Sequence, residues 1–199
     1  MDALSDAAAT EESFKRLSGT GLKILHIGTH GFYESPVDLA NAGLTFFTNS
    51  QEQNNEDRSL SCSGLLFAGA NSALDPKRYK EIPQGADDGI LTAKEISRLD
   101  FRGLDLVVLS ACQTGLGEIT GDGVFGLQRG FKKAGAQTMI MSLWEVFDVS
   151  TQMLMIEFFK NLTAGQSKRA AFISALKAVR EKYHNPKHWA AFVMVDGLD

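Results

Sequence analysis

The chain has 199 residues, of which 44% are hydrophobic and 22% are charged, and its net charge is −4. This composition is typical of one soluble globular domain with a sizeable core. The negative balance and the lack of a basic stripe argue against nucleic-acid binding. No apolar run approaches the length of a membrane span, so we expect no membrane association.

The two cysteines, Cys62 and Cys112, lie far apart in the sequence. They give neither a disulfide framework nor the spacing of a zinc site, which favours a reducing compartment. The N-terminus is acidic before it is apolar, unlike a signal peptide. We therefore expect a cytoplasmic protein.

The N-terminal half is predicted to contain one helix, three strands and two loops. An alanine run with acidic residues early and basic residues late predicts a helix over 7–17. Short apolar runs predict strands over 21–28, 44–48 and 64–68, the last two forming a hairpin around a polar loop. We expect a loop over 31–41 and, because of its prolines and charges, a long mobile loop over 70–89.

Strands alternate with helices in the C-terminal half. Thr92 and Glu95 form a capping box that begins a helix over 93–98. Helices are also predicted over 123–134, over 150–162 and after the capping residue Ser167, with strands over 104–110, 137–143 and 189–195. The side chains expected to face the core are Leu127, Phe131, Ala134, Leu154, Phe158, Phe172, Leu176 and Val179. This order predicts an α/β fold with a mostly parallel sheet and helices on both faces.

Candidate catalytic residues follow two of these strands. His30 and Gly31 come after the strand over 21–28, and Cys112 comes after the strand over 104–110. Parallel neighbours would bring His30 beside Cys112 at the edge where open α/β sheets place their chemistry. A cysteine thiolate can attack an amide, and an adjacent imidazole can protonate the leaving amine. The backbone N–H groups of Gly31 and Cys112 would form the oxyanion hole.

These residue types also have ordinary structural interpretations. A lone buried cysteine is usually a small hydrophobic core residue, and we interpret Cys62 in this way. His26 lies four positions before His30, so the two should share one face of a strand. His184 and His188 are interpreted as surface or packing residues.

The glycine-rich segment 115–126 precedes a predicted helix, as a nucleotide-binding loop would. Its spacing is not G-x-G-x-x-G, and no Lys-Ser or Lys-Thr pair completes a Walker loop. We therefore expect the segment to fold over the active site and its acidic residues, Glu118 and Asp122, to be solvated.

Six segments together carry a resemblance to a known family. They are LHIGTHGFY at 25–33, DDGILTAKEI at 87–96, LVVLSACQTGLGE at 106–118, GDGVFGLQRGFKKAGA at 121–136, SLWEV at 142–146 and HWAAFVMV at 188–195. The chain resembles the CHAT domain, a caspase-like cysteine peptidase family related to separase and often attached to tetratricopeptide repeats. The resemblance covers nearly the whole chain. It implies a caspase-like three-layer sandwich, a His30–Cys112 dyad and endopeptidase activity that needs no metal or other cofactor.

The sequence departs from the family before its first strand. A caspase-like sheet has two strands ahead of the one that leads to the His-Gly pair, whereas here one predicted helix stands there. We therefore expect residues 1–199 to form a single domain that is the C-terminal part of a longer chain, with regulatory repeats in the missing region. Alternatively, the hairpin over 44–68 covers the strand edge.

Substrate preference depends on the residues around the nucleophile. Strand alternation places Ser110 on the same face as Cys112, and the resemblance implies that this position lines the pocket for the side chain before the scissile bond. Ser110 is small and neutral, so a preference for Arg or Lys would need a carboxylate, either Asp148 or Glu145. Asp148 has an alternative interpretation as the N-cap of the following helix.

The sequence therefore predicts an endopeptidase that cleaves a specific protein substrate, with His30 as general acid and Cys112 as nucleophile. The alternative is a catalytically silent scaffold module with the same fold, regulated by an attached repeat domain.

Overall fold

The secondary structure is known for most of the chain from a computed structural model, which describes residues 3–33, 60–75, 78, 82, 86–110, 126–144 and 146–195. The strands in these ranges are β1 (Ile24–Ile27), β2 (His30–Tyr33), β3 (Ser63–Leu66), β4 (Ile90–Thr92), β5 (Leu106–Leu109), β6 (Thr138–Ser142) and β7 (Phe192–Val195). The α-helices are α1 (Glu11–Lys15), α2 (Ala70–Ala73), α3 (Ala93–Ile96), α4 (Gly126–Ala134), α5 (Asp148–Thr163) and α6 (Lys168–Lys182). Short 3-10 helices span Asp6–Ala8 and Pro186–His188.

The described strands form two sheets. The large sheet has the order β1-β5-β6-β7, in which β1, β5 and β6 are parallel and β7 is antiparallel. The small sheet has the order β2-β3-β4 and is antiparallel. The large sheet confirms the predicted α/β fold with a mostly parallel sheet.

β5 lies at the centre of the core because both of its faces are covered. Val107 and Leu109 pack with the core cluster that contains residues of α1, α3 and α4. Leu106 and Val108 pack with the cluster formed by α5 and α6 on the opposite face. All four residues of β5 are buried, which explains why its sequence is a continuous apolar run.

The predicted inward-facing residues of the helices are confirmed. Leu127, Phe131, Ala134, Leu154, Phe158, Phe172 and Val179 are buried, and Leu176 packs against the core from a partly buried position. The predicted helix ends are also confirmed. Thr92 and Glu95 form the capping box of α3, and Ser167 accepts a hydrogen bond from the Ala170 N–H at the start of α6. Gly135 follows α4 with φ +108°, which a glycine adopts readily.

Several N-terminal predictions need correction. The predicted helix over 7–17 is divided, because the Thr10 side chain accepts the Ser13 N–H and begins a separate helix, α1, after the 3-10 turn. The predicted loop over 31–41 begins with strand residues of β2, and the predicted loop over 70–89 begins with α2.

The predicted hairpin is tested in part. β3 confirms a strand within 64–68, and its described partners are β2 and β4, of which β4 was not predicted. The predicted strand over 44–48 lies outside the described residues.

Candidate active site

β1 and β5 are direct parallel neighbours, as their apolar sequences predicted. Ile27 and Leu109 are register partners at the carboxyl ends of the two strands. The Ser110 N–H donates to the Ile27 carbonyl over 2.9 Å, which continues the pairing by one residue. In the sequence, His30 follows Ile27 by three positions and Cys112 follows Leu109 by three positions. Cys112 itself lies outside the described residues.

His30 is the first residue of β2, so it belongs to the small sheet and not to β1. The chain passes from one sheet to the other at Gly28 and Thr29. The Thr29 hydroxyl donates to the carbonyl of Leu66, which is also the register partner of His30. The His30 side chain is exposed to solvent. The prediction that His26 and His30 share a strand face is wrong, because the chain changes sheet between them.

Gly31 also lies in β2, where its register partner is Leu65. The next register pair, Phe32 and Gly64, shows how closely β2 and β3 pack. A Cβ added to Gly64 would lie 2.7 Å from the Phe32 ring. The small sheet is therefore a closely fitted support for the His-Gly pair. The oxyanion role of the Gly31 and Cys112 N–H groups stays a prediction.

Ser110 contacts a histidine that the sequence analysis did not connect with it. The Ser110 Oγ is hydrogen-bonded to the His26 Nε2 at 2.9 Å, and the His26 ring packs 5.7 Å from the ring of Phe159. Desolvation lowers the pKa of His26, so its imidazole is mainly neutral near pH 7. This contact joins β1 to β5 where the segment toward Cys112 begins, and the pocket-lining role of Ser110 stays a prediction.

Asp148 is the first residue of α5 and is exposed. The N-cap of α5 is Phe147, so the interpretation of Asp148 as the N-cap is wrong by one position. A carboxylate in the first turn still interacts favourably with the helix dipole. A role for Asp148 in substrate binding stays a prediction, and Glu145 lies outside the described residues.

An aromatic stack fixes the start of α5. The His188 ring lies between the rings of Phe147 and Tyr183, with centroid distances of 4.5 and 4.7 Å. The His188 Nδ1 lies 3.2 Å from the Ser150 Oγ, which donates to the Phe147 carbonyl. His188 is therefore a packing residue, as predicted, and the stack holds the part of α5 that carries Asp148.

Cys62 is also accounted for by packing. It is 2% exposed and lies within the buried segment that leads into β3. The structural interpretation of Cys62 is therefore confirmed.

A charged cluster between α1 and β4 was missed by the sequence analysis. Glu11 is buried, with its Oε1 at 2.5 Å from the Lys15 Nζ, and its Oε2 accepts the Gly89 N–H over 2.8 Å. The Lys15 Nζ also lies 2.8 Å from an Asp87 oxygen and 3.0 Å from a Glu95 oxygen. We refer to Glu11, Lys15, Asp87 and Glu95 as the acid–lysine cluster. Glu95 was predicted only as a capping residue, and no local pattern connects it to Lys15.

Burial and charge shift the ionisation of this cluster. Desolvation raises the pKa of Glu11 to about 7, although the hydrogen bond from Lys15 opposes the rise. Burial disfavours the charge on Lys15, but its hydrogen bonds to three carboxylates outweigh burial and raise its pKa. Desolvation also raises the pKa of the neighbouring Asp88. Lys15 is therefore charged throughout the physiological range, whereas Glu11 titrates near neutral pH.

Two kinds of feature are absent from the described ranges. No helix there combines the length and the apolar character needed to cross a bilayer. No three His, Cys, Asp or Glu side chains there are placed to hold a metal ion.

The fold defines the class of this protein. A mostly parallel sheet flanked by helices, with a His-Gly pair directly after the strand that neighbours the central strand, is a caspase-like α/β architecture. The CHAT domain family, which is part of the caspase-like peptidase superfamily, matches residues 1–196, and the chain belongs to this family.

Tetratricopeptide repeat protein 28 is similar to part of the chain. The protein from Mus musculus is 35% identical over 109 residues, which make up 53% of this chain and 4% of that protein. The protein from Homo sapiens is 34% identical over 108 residues, again 53% of this chain and 4% of the relative. The matched region is therefore a small part of each relative.

Proposed function

We propose that this CHAT domain is a cysteine endopeptidase in which Cys112 is the nucleophile and His30 is the general acid. The observation that carries the proposal is the parallel pairing of β1 and β5, in which Ile27 and Leu109 are register partners at the carboxyl ends of the strands. His30 and Cys112 each follow one of these paired residues by three positions. Three residues of chain reach about 11 Å at most, which supports a placement of both residues near the same edge of the large sheet.

Each residue of the dyad has a defined chemical task. The Cys112 thiolate attacks the carbonyl carbon of the scissile amide, and the N–H groups of Gly31 and Cys112 stabilise the resulting oxyanion. The C–N bond then breaks as the His30 imidazolium gives its proton to the leaving amine. Water hydrolyses the remaining thioester, with His30 as the base, and regenerates the thiol.

The proposed substrate is a specific protein with a basic side chain before the scissile bond. Asp148 is exposed and could pair with such a side chain, with Ser110 and Glu145 as further pocket residues. The exposed side chains of Phe147 and Val149 flank Asp148 and suit apolar neighbours of the basic residue. A cytoplasmic, reducing environment would keep the nucleophilic thiol free.

We also propose that the domain acts within a longer chain. The similar proteins in mouse and human are named for tetratricopeptide repeats, and this domain matches only 4% of each. A repeat region attached to the domain would present the substrate or regulate access to the dyad.

Cleavage of a mixed library of fluorogenic peptides tests the proposal. We expect the parent chain to cleave peptides with Arg or Lys before the scissile bond. Cys112→Ala should abolish cleavage, whereas the matched variant Cys62→Ala should retain it, because Cys62 is a buried packing residue. Asp148→Asn should weaken the basic preference.

Alkylation by iodoacetamide provides a second readout near neutral pH. A low-pKa Cys112 thiol should react before Cys62. If the parent cleaves nothing and Cys112 is not alkylated preferentially, the peptidase proposal fails and a scaffold module becomes the better interpretation.

A further inference from the structure

We infer that Glu11 is a positioning residue for His30, acting through Gly89 and the small sheet. The inference builds on the proposed peptidase function, because it assigns the support of the general acid to a residue outside the dyad. It depends on three features of the described residues, which are a continuous path from Glu11 to His30, a fixed joint at Gly89 and a firmly anchored α1.

The path consists of one hydrogen bond and one row of strand pairs. The Glu11 Oε2 accepts the Gly89 N–H over 2.8 Å. Gly89 directly precedes Ile90, whose register partner in β3 is Leu66. Leu66 is in turn the register partner of His30 in β2. Ile90, Leu66 and His30 therefore form one row across the small sheet, and Glu11 holds the end of that row.

Gly89 is held closely on several sides. Its N–H is bound by Glu11, and its carbonyl accepts the Phe67 N–H over 2.7 Å. Its φ is +85°, and a Cβ at this position would lie 2.4 Å from the Ala70 nitrogen. Only glycine fits this conformation and this space. A shift of Gly89 would therefore move Ile90 and the row that ends at His30.

α1 is anchored well enough to act as a fixed support. A five-residue helix is not stable alone, but Phe14 is buried and its ring lies 5.5 Å from Phe67 and 5.7 Å from Phe101. The Ala9 carbonyl, just before α1, accepts the N–H of Ala68, two residues after the end of β3. The Glu11 carboxylate thus acts on Gly89 from a defined position.

Because of Lys15, substitutions of Glu11 can separate the effect of its charge from the effect of its hydrogen bond to Gly89. A buried carboxylate needs a partner, and Lys15 supplies it while also binding Asp87 and Glu95. If Glu11 becomes Gln, Lys15 keeps two carboxylate partners, and the amide oxygen can still accept the Gly89 N–H. If Glu11 becomes Ala, the acceptor is lost.

The test compares Glu11→Ala, Glu11→Gln and the matched control Glu12→Gln. Glu12 is the next residue along the chain, but it is exposed, and its carboxylate lies 2.6 Å from the guanidinium of the exposed Arg16. Amide hydrogen exchange is followed at Gly89 and in β4 (90–92), and at 30–33 in β2, with α5 as the internal reference. Peptide cleavage gives kcat and KM separately.

We expect Glu11→Ala to increase exchange about tenfold in both β4 and β2, with no change in α5. It should lower kcat about tenfold with little change in KM, because the misplaced group is the general acid. Glu11→Gln should recover most of this loss, and Glu12→Gln should match the parent. If Glu11 only stabilised the fold, Glu11→Ala would reduce the amount of folded protein. The kcat per folded molecule would then equal that of the parent.

Two outcomes would overturn the inference. One is exchange that rises in β4 but not in β2, which would show that Gly89 does not support His30. The other is a kcat for folded Glu11→Ala equal to that of Glu12→Gln. If Glu11→Ala does not fold, Glu11→Asp takes its place, since it keeps the charge and shortens the reach. If the parent has no peptidase activity, the exchange experiment still decides the positioning role, so the two failures are distinguishable.

Discussion

Both sheets of this CHAT domain contribute buried apolar residues to the core, including Leu65 of β3 and Leu91 of β4, but they differ in what else holds them. The large sheet lies between two apolar clusters, and its central strand is buried on both faces. The small sheet has three short strands whose ends are fixed by directional polar contacts, such as the Thr29 hydroxyl on Leu66 and the Glu11 carboxylate on Gly89. Apolar burial scales with area and has little directionality, whereas a hydrogen bond fixes distance and angle. We therefore expect the large sheet to determine global stability and the small sheet to determine the placement of His30.

The strongest test of this comparison is a cavity beneath the large sheet. Phe158 of α5 is fully buried and packs 6.3 Å from the Phe172 ring. Phe158→Ala should lower the free energy of unfolding by about 3–5 kcal/mol. Denaturation in urea measures the loss. Ile156→Ala on the same helix is the control, because Ile156 is 58% exposed and should cost far less. Equal losses would contradict the assignment of stability to this core.

A pH series tests the polar support of the small sheet. The pKa of Glu11 is raised from 4.5 to about 7 in the folded chain, so the folded state binds the proton more tightly than the unfolded state. The contribution of Glu11 to stability is therefore full below pH 4.5 and declines as the pH rises to about 7. Relative to Glu11→Gln, the free energy of unfolding of the parent should fall by up to about 3 kcal/mol between pH 4.5 and pH 8.

Urea denaturation of both chains at these two pH values measures this difference. The Glu12→Gln variant should follow the parent at both values. If the difference in free energy of unfolding between the parent and Glu11→Gln is the same at both pH values, the pKa of the Glu11 carboxyl is not raised.

The contact between α3 and α4 connects the two regions and should be sensitive to one methyl group. A Cβ on Gly130 would lie 2.5 Å from the Ala93 carbonyl oxygen, so the two helices touch through their backbones. Gly130→Ala should lower the stability by about 1–3 kcal/mol, and Gly130→Ser should cost more. Thermal unfolding measures both. A stabilising effect of Ala, as expected for an unhindered helix position, would contradict the close approach.

A smaller effect is expected from the ion pair at the amino end of the central strand. The Lys168 Nζ lies 2.7 Å from an Asp105 oxygen, with Lys168 mostly buried and Asp105 46% exposed. Lys168→Met should cost about 1 kcal/mol, because solvent screens a partly exposed pair. The double variant with Asp105→Asn shows how much of this cost belongs to the pair. A zero coupling energy would mean that Lys168 contributes only through the packing of its side chain.

The large sheet could be predicted from the sequence because its signals are local. The continuous apolar run of β5 and the helical spacing of Leu127, Phe131 and Ala134 each lie within one element. The neighbour relation of β1 and β5 agrees with general rules for parallel sheets, whereas the placement of Cys112 at their common edge stays a prediction.

The small sheet could not be predicted in the same way. β2 begins with a histidine and a glycine and β4 has only three residues, so neither gives an apolar run of strand length. In β3 the glycine at position 64 gives no hydrophobic signal, although it is the residue that makes room for the Phe32 ring. The pairing of these strands depends on contacts between distant parts of the chain.

The polar contacts of the site were hidden for a related reason. Lys15 and Asp87 are 72 positions apart, and Lys15 and Glu95 are 80 positions apart. Each of them looks like an ordinary surface charge in its own segment. The bond between His26 and Ser110 required both the register of β1 against β5 and the face of each side chain. The sequence gives the alternation of faces, but the register became known only with the structure.

The passage of the chain between sheets at Gly28 and Thr29 has a consequence for how this domain varies under selection. It places His30, the proposed general acid, in a different sheet from β5, the central strand of the core. Variants that alter the large-sheet core should change the abundance of the domain in a cell, while each surviving molecule works normally. Variants around α1 and Gly89 should change the placement of His30 in addition to any effect on abundance. Selection can therefore adjust the abundance of the domain and the placement of His30 through partly different sets of residues.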